Sequence, residues 1–169
     1  MTLASLPRPR FRRALEVGCS IGVLTSDLAP RCDELLALDV AGAAVALARE
    51  RTRALPSVRV EQMAVPAQWP AGSFDLVVLS EVGYYLSLDE LTSLCDRSIG
   101  SLSPDGVLVA CHWRHPVEEY PLRGDTVHAV LRSRTEVVAL ARHEEEDFLL
   151  DVLVRPPAVS VAGQTGLLG

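Results

Sequence analysis

Apolar residues fall in short runs separated by glycine, proline and charged stretches, and the period of each run indicates its element. Residues 15–17, 35–38, 58–63, 74–80 and 107–111 read as strands. The run 74–80 (Phe-Asp-Leu-Val-Val-Leu-Ser) is nearly continuous, as expected of a central strand buried on both faces. Between the strands the period becomes helical. Residues 22–29 read as a helix that Pro30 ends, and 41–55 as one that Pro56 ends, with Val45, Leu47 and Ala48 toward the sheet. Ser87-Leu88-Asp89-Glu90 is a capping box, and Leu91, Leu94, Cys95 and Ile99 form the stripe behind it. Ser103-Pro104-Asp105-Gly106 reads as a turn and 125–134 as a helix. Residues 136–143 and 148–154 read as an antiparallel pair joined by the solvated acidic tip Glu144-Glu145-Glu146-Asp147. Strand and helix alternate, so the pattern predicts an α/β fold with a mostly parallel sheet and helices on both faces, closed by a C-terminal antiparallel hairpin. The organisation expected is a short segment 1–13, one domain over 14–155 and a flexible tail over 156–169.

Chemistry enters at the end of the first strand, in Glu16-Val17-Gly18-Cys19-Ser20-Ile21-Gly22, with Asp39 at the tip of the second. Gly18 permits a sharp turn, and an acid at the second strand tip can hydrogen-bond both hydroxyls of a ribose. The dinucleotide fingerprint fails, because a frame starting at Gly18 puts Ser20 and Val23 in its other two glycine positions. The frame that fits is acid-x-Gly-x-x-x-Gly. Its acid repels a pyrophosphate but pairs with an ammonium, and S-adenosylmethionine (SAM) carries an ammonium and a ribose with no phosphate. The segment resembles motif I of the class I SAM-dependent methyltransferases. That resemblance implies a Rossmann-like seven-stranded fold and SAM as cofactor. Glu16 is then expected to face the methionine amino group, with Gly18, Cys19, Ser20 and Gly22 close to the cofactor and Asp39 and Val40 at the ribose. Ser20 stands where the family often has glycine. The third strand tip lacks the acid usual there, which leaves Met63, Ala64, Val65 and Trp69 to hold adenine.

Two further segments are dense in polar and aromatic residues. One is Ser80-Glu81-Val82-Gly83-Tyr84-Tyr85, and the other is Cys111-His112-Trp113-Arg114-His115-Pro116, followed by Tyr120-Pro121-Leu122-Arg123-Gly124-Asp125-Thr126-Val127-His128. Together they resemble the nodulation-protein-S group of methyltransferases, which N-methylates the freed amine of a deacetylated chitooligosaccharide. The resemblance implies a small-molecule acceptor such as an amino sugar or oligosaccharide. Ser80 and Glu81 join the cofactor set, while Tyr84, Tyr85, Arg114, Asp125 and His128 are candidates for binding the acceptor. An amine must be neutral to attack, so His112, His115, Glu81 and Tyr85 are the catalytic candidates, the histidines because they titrate near working pH. Structural histidines, a hydroxyl acceptor and a SAM-binding domain without turnover are the alternatives left open. His112 and His115 have no third ligand at a supporting spacing, so no metal is expected.

Composition adds exclusions. The 169 residues, 49% hydrophobic and 22% charged, suit one globular domain. A net charge of −6 disfavours nucleic acid as partner. Cys19, Cys32, Cys95 and Cys111 form no C-x-x-C and read as thiols in a reducing, cytoplasmic setting. No apolar run approaches the length of a membrane span, and residues 1–13 lack the apolar core of a secretory signal. Nothing in the chain reads out an oligomeric state.

Overall fold

The computed structural model describes residues 2–164. Seven strands form one sheet: β1 (Phe11–Val17), β2 (Cys32–Asp39), β3 (Val58–Gln62), β4 (Phe74–Ser80), β5 (Leu102–Trp113), β6 (Val138–Glu144) and β7 (Phe148–Val154). Their order is β3-β2-β1-β4-β5-β7-β6. The first five run parallel, and β7 inserts antiparallel between β5 and β6. The helices are α1 (Val23–Leu28), α2 (Gly42–Thr52), α3 (Leu88–Gly100), α4 (Gly124–Arg132) and the single turn α5 (Val161–Gln164).

β4 is buried along nearly its whole length because residues alternate between two apolar layers. Val77 and Leu79 pack with Leu91, Leu94, Val127 and Leu131 of α3 and α4. Leu76 and Val78 pack on the other face with Leu28 of α1 and with Leu6, which precedes β1. Asp75, the one charge in this strand, is buried but satisfied, accepting from the Arg12 and Arg13 amides at 2.8 Å each. The α3 capping box is present, Ser87 Oγ accepting from Glu90 N at 3.3 Å while Glu90 Oε2 accepts from Ser87 N at 2.9 Å.

Several expected boundaries move. β1 starts at Phe11 and β2 at Cys32, earlier than their apolar runs suggest. α1 stops at Leu28, and Pro30 lies inside a following 3₁₀ turn, Ala29–Arg31, whose first positions need no amide donor. Leu47 faces solvent, since Val45, Ala48 and Thr52 share the inward stripe and Leu47 lies well off it. Residues 103–106 do not turn the chain. They form an irregular stretch of β5, where the register with β4 shifts between Phe74 and Leu76. Residues 165–169 of the expected tail lie outside the described residues, and 161–164 form a helical turn. Among the described residues no helix is long and apolar enough to cross a membrane.

Two glycines seat α4. A Cβ on Gly83 would stand 2.7 Å from Val127 Cγ1, and one on Gly124 would stand 2.2 Å from the Trp113 carbonyl oxygen. Gly124→Ala therefore forces α4 off the tip of β5. The expected loss is about 1–3 kcal/mol, read as a Tm lower by roughly 2–10 °C. An unchanged Tm contradicts the packing described.

Candidate active site

Parallel strands β1, β2, β4 and β5 end on one edge of the sheet, and strand order reverses between β1 and β4, the place where such folds bind ligands. Gly18 turns the chain there at φ +80, so close to the next loop that a Cβ would lie 3.1 Å from Val82 Cβ. Ser20 occupies the left-handed region at φ 49, a conformation glycine adopts at less cost. Its amide donates to Asp39 Oδ2 at 2.8 Å, and the Ala41 amide donates to Asp39 Oδ1 at 2.9 Å. One carboxylate thus ties both loops together and keeps lone pairs for a ligand.

The cleft so formed measures about 590 Å³. Gly18, Ser20, Asp39, Val40, Met63 and Val65 line one side, with Glu81, Val82, Tyr85 and Leu86 opposite. A lobe of about 210 Å³ adjoins it, lined by Glu16, Cys19, Ser20, Ser80 and Glu81 among others. Three expected cofactor neighbours lie elsewhere. Gly22 backs onto α2, where a Cβ would meet Ala48 Cα at 3.0 Å, so its smallness serves helix packing. The Ala64 amide donates to Gln68 Oε1 at 2.9 Å, and Trp69 packs against the core. Neither lines the cleft.

Glu16 is only 2% exposed, and its Oε2 has no hydrogen-bond partner among the described residues. Burial pushes its carboxyl up to about 7. Burial, with Glu16 and Asp39 nearby, pushes the Cys19 thiol up to about 12, so it stays neutral and unreactive. Glu16 Oε2 is the unpartnered atom at this lobe, and an ammonium placed there would satisfy it and favour the ionised form.

Across the cleft, Glu81 has φ 55. Its Oε1 accepts from the Trp113 amide at 3.0 Å, and its Oε2 accepts from the Tyr84 hydroxyl. Burial, reinforced by this carboxylate, pushes the Tyr84 hydroxyl up, so it remains a donor. Tyr84, Tyr85 and Tyr120 pack into an aromatic trio with centroids 4.6–5.0 Å apart. Tyr120 belongs to the polar and aromatic cluster after the fifth strand, but the motif reading gives it no role. It sits in an irregular loop with no period to place it, and its signal was only its rarity in a chain that is 5% aromatic.

The histidines depart most from expectation. His112 and His128 are wholly buried and bonded to each other, His112 Nδ1 to His128 Nε2 at 3.2 Å. Burial holds His112 well below the usual histidine range, hence neutral. Neither ring opens onto the cleft, so the structure does not bring His112, expected as the acceptor's base, or His128, expected as an acceptor contact, to it. His115 is exposed, pairs with Asp147 at 2.8 Å and does not line the cleft. Arg114 forks onto Asp125 at 2.8 and 3.2 Å and reaches the Glu145 carbonyl at 2.7 Å. These bonds fasten α4 and the β6–β7 tip to β5, so Arg114 and Asp125 face each other rather than a ligand. Of the four catalytic candidates, Glu81 and Tyr85 line the cleft.

This strand order, with a glycine turn after β1 and an acid ending β2, defines the class I methyltransferase fold. The chain belongs to the Nodulation protein S (NodS) family, whose model matches residues 4–145. It is 34% identical over 110 residues to nodulation protein S of Rhizobium tropici, covering 64% of this chain and 46% of that protein. To nodulation protein S of Sinorhizobium fredii it is 33% identical over 110 residues, covering 64% and 51%. The chain thus spans about half the length of the curated relatives it matches. Among solved structures, a putative methyltransferase from Pseudomonas syringae is 49% identical with TM-score 0.81, covering 91% of this chain and 94% of that one. The N-methyltransferase NodS from Bradyrhizobium japonicum WM9, in complex with S-adenosylhomocysteine (SAH), is 27% identical with TM-score 0.80, covering 92% and 82%.

Proposed function

We propose that the chain is a SAM-dependent N-methyltransferase whose acceptor is the primary amine of a small molecule, an amino sugar of the deacetylated chitooligosaccharide type. The observation that carries this reading is the charge of the cleft. Glu16, Asp39 and Glu81 line it and its lobe, and no lining residue is basic. Such a site suits cations and repels phosphates and carboxylates. The NodS relative was solved with SAH, the product of such a transfer.

The residues divide the work. Glu16 pairs with the methionine ammonium, and Asp39 accepts from the ribose hydroxyls. Met63 and Val65 give adenine an apolar wall in place of an acid. When bound, SAM supplies a methyl group on a sulfonium, activated for in-line attack. Glu81 binds the acceptor amine, stabilises the positive charge that grows on nitrogen and receives the departing proton. Tyr85 offers a π face to the same cation. Orientation of acceptor against cofactor supplies most of the rate, since effective molarities correspond to about 7–11 kcal/mol.

Asp39→Ala removes ribose contacts and frees the Ser20 and Ala41 amides. SAH affinity is expected to fall by about 1–3 kcal/mol, roughly 5- to 150-fold. Calorimetry reads this directly, and an unchanged Kd counts against the assignment. A labelled-methyl assay on a glucosamine oligosaccharide and its N-acetylated counterpart tests the function. Label is expected on the free amine alone. Equal labelling of both acceptors makes a hydroxyl the target and overturns the reading.

A further inference from the structure

We infer that His112 is a positioning residue, holding segment 81–85 in place through the backbone of Gly83 at the head of a buried hydrogen-bond chain rooted at Arg132.

The direction of every bond in this chain follows from its end. The Gly83 amide lies 3.3 Å from His112 Nε2. A peptide N–H only donates, so Nε2 carries no proton and the His112 proton sits on Nδ1. That proton is donated to His128 Nε2 at 3.2 Å. The His128 proton is therefore on Nδ1, donated to Asp151 Oδ2 at 2.6 Å. The same oxygen accepts from Arg132 Nε at 2.8 Å. Both imidazoles are neutral, each ring nitrogen is used once, and His112, His128 and Asp151 are all 0% exposed. The ring nitrogen at the segment 81–85 end is occupied by a peptide N–H, and the chain's unpartnered acceptor, Asp151 Oδ1, is buried at the far end, away from the cleft. Its effect is mechanical.

Segment 81–85 needs such a hold. Glu81 occupies the left-handed region, a conformation that persists only where its surroundings fix it. Three consecutive residues of β5 supply the fixing. The Cys111 carbonyl accepts from the Glu81 amide at 3.0 Å, His112 accepts from Gly83, and the Trp113 amide donates to Glu81 Oε1 at 3.0 Å. Of these β5 partners only His112 acts through a side chain. Gly83 also abuts Val127 on α4, next to His128, so the helix and the segment share one register. The chain thus links α4 and β7 to the Glu81 carboxylate and the Tyr85 ring. That the segment serves methyl transfer rests on the function proposed above, whereas the hold on Gly83 does not.

His112→Gln and His112→Leu separate positioning from proton transfer in the full chain. Glutamine offers an acceptor to the Gly83 amide but is no base near neutral pH, and leucine fills the space and offers neither. The readouts are amide exchange at Gly83, SAH affinity and turnover on an amine acceptor. In the leucine variant, Gly83 exchange is expected to rise at least ~10-fold, with turnover falling ~10-fold or more. The glutamine variant is expected to restore Gly83 protection and most of the turnover. Protected Gly83 together with a turnover loss of ~10²-fold or more in the glutamine variant would make His112 a base and overturn the inference. Wild-type exchange and turnover in the leucine variant would overturn it too. If the leucine variant does not fold, the glutamine variant decides alone: protection with activity supports positioning, and unprotected Gly83 with full turnover refutes it. Absence of methyl transfer by the wild type defeats the proposed function, while Gly83 exchange, raised in the leucine variant and restored in the glutamine variant, still decides the hold.

Discussion

Glu16→Gln stabilises the ligand-free protein at pH 8 and weakens its hold on SAH. The carboxyl is buried without a full set of partners, and burial moves it from 4.5 to about 7. The folded state therefore keeps a proton through a pH range in which the unfolded chain has lost it. The stability this contributes is complete below about pH 4.5 and gone once pH rises past about 7. A displacement of that size corresponds to about 3 kcal/mol. Glutamine has no charge to bury, so the variant gains about 2–3 kcal/mol over the wild type at pH 8 and little below pH 5. Thermal melts at the two pH values read the difference. SAH binding moves the other way, because the variant loses a charge-assisted hydrogen bond of about 1.5–3 kcal/mol, roughly 10- to 150-fold in Kd. For the wild type, affinity is expected to fall as pH drops below 7, with a proton released on binding. A variant no more stable than the wild type at pH 8, with unchanged Kd, would show that Glu16 has a partner and is not the cation receptor.

Glu81→Gln abolishes most turnover while leaving the fold and SAH affinity nearly intact. The amide oxygen, placed as Oε1, still accepts from the Trp113 N–H, and the NH2 that replaces Oε2 donates to the Tyr84 hydroxyl oxygen, so both local contacts survive with the second reversed. What is lost is the negative charge beside the attacking nitrogen and the proton acceptor. General-base groups of this kind contribute about 10²–10⁴-fold. A second readout is independent of turnover. Glu81 helps push the Tyr84 hydroxyl up, so in the variant its spectroscopic titration should move down. Retained turnover would shift attention to His115, the remaining exposed histidine of the cluster.

The sequence disclosed the fold where apolar pattern and local chemistry agree. β4 and β7 lie within the ranges their apolar runs mark, and the α3 cap follows from Ser87 and Glu90. β1 begins earlier than its run because Arg12 and Arg13 interrupt the apolar pattern, while their amides are held by Asp75 from a neighbouring strand. That Glu16 and Asp39 come to one edge of the sheet was legible from spacing, as they lie at the ends of adjacent parallel strands. The histidines were not. His112 lies on a strand tip beside residues suited to a site, but its character is set by His128 on α4 and Asp151 on β7. No local pattern announces partners that only the sheet order brings together.

The measurement that bears most directly on the account is a crystal structure of the ternary complex with SAH and a free-amine oligosaccharide. The account places the methionine ammonium within about 3 Å of Glu16 and the ribose hydroxyls at the same range from Asp39. The acceptor nitrogen should lie within about 3.5 Å of Glu81 and face the sulfur. SAH bound outside this cleft, or an acceptor nitrogen held by His115 and remote from Glu81, would contradict it.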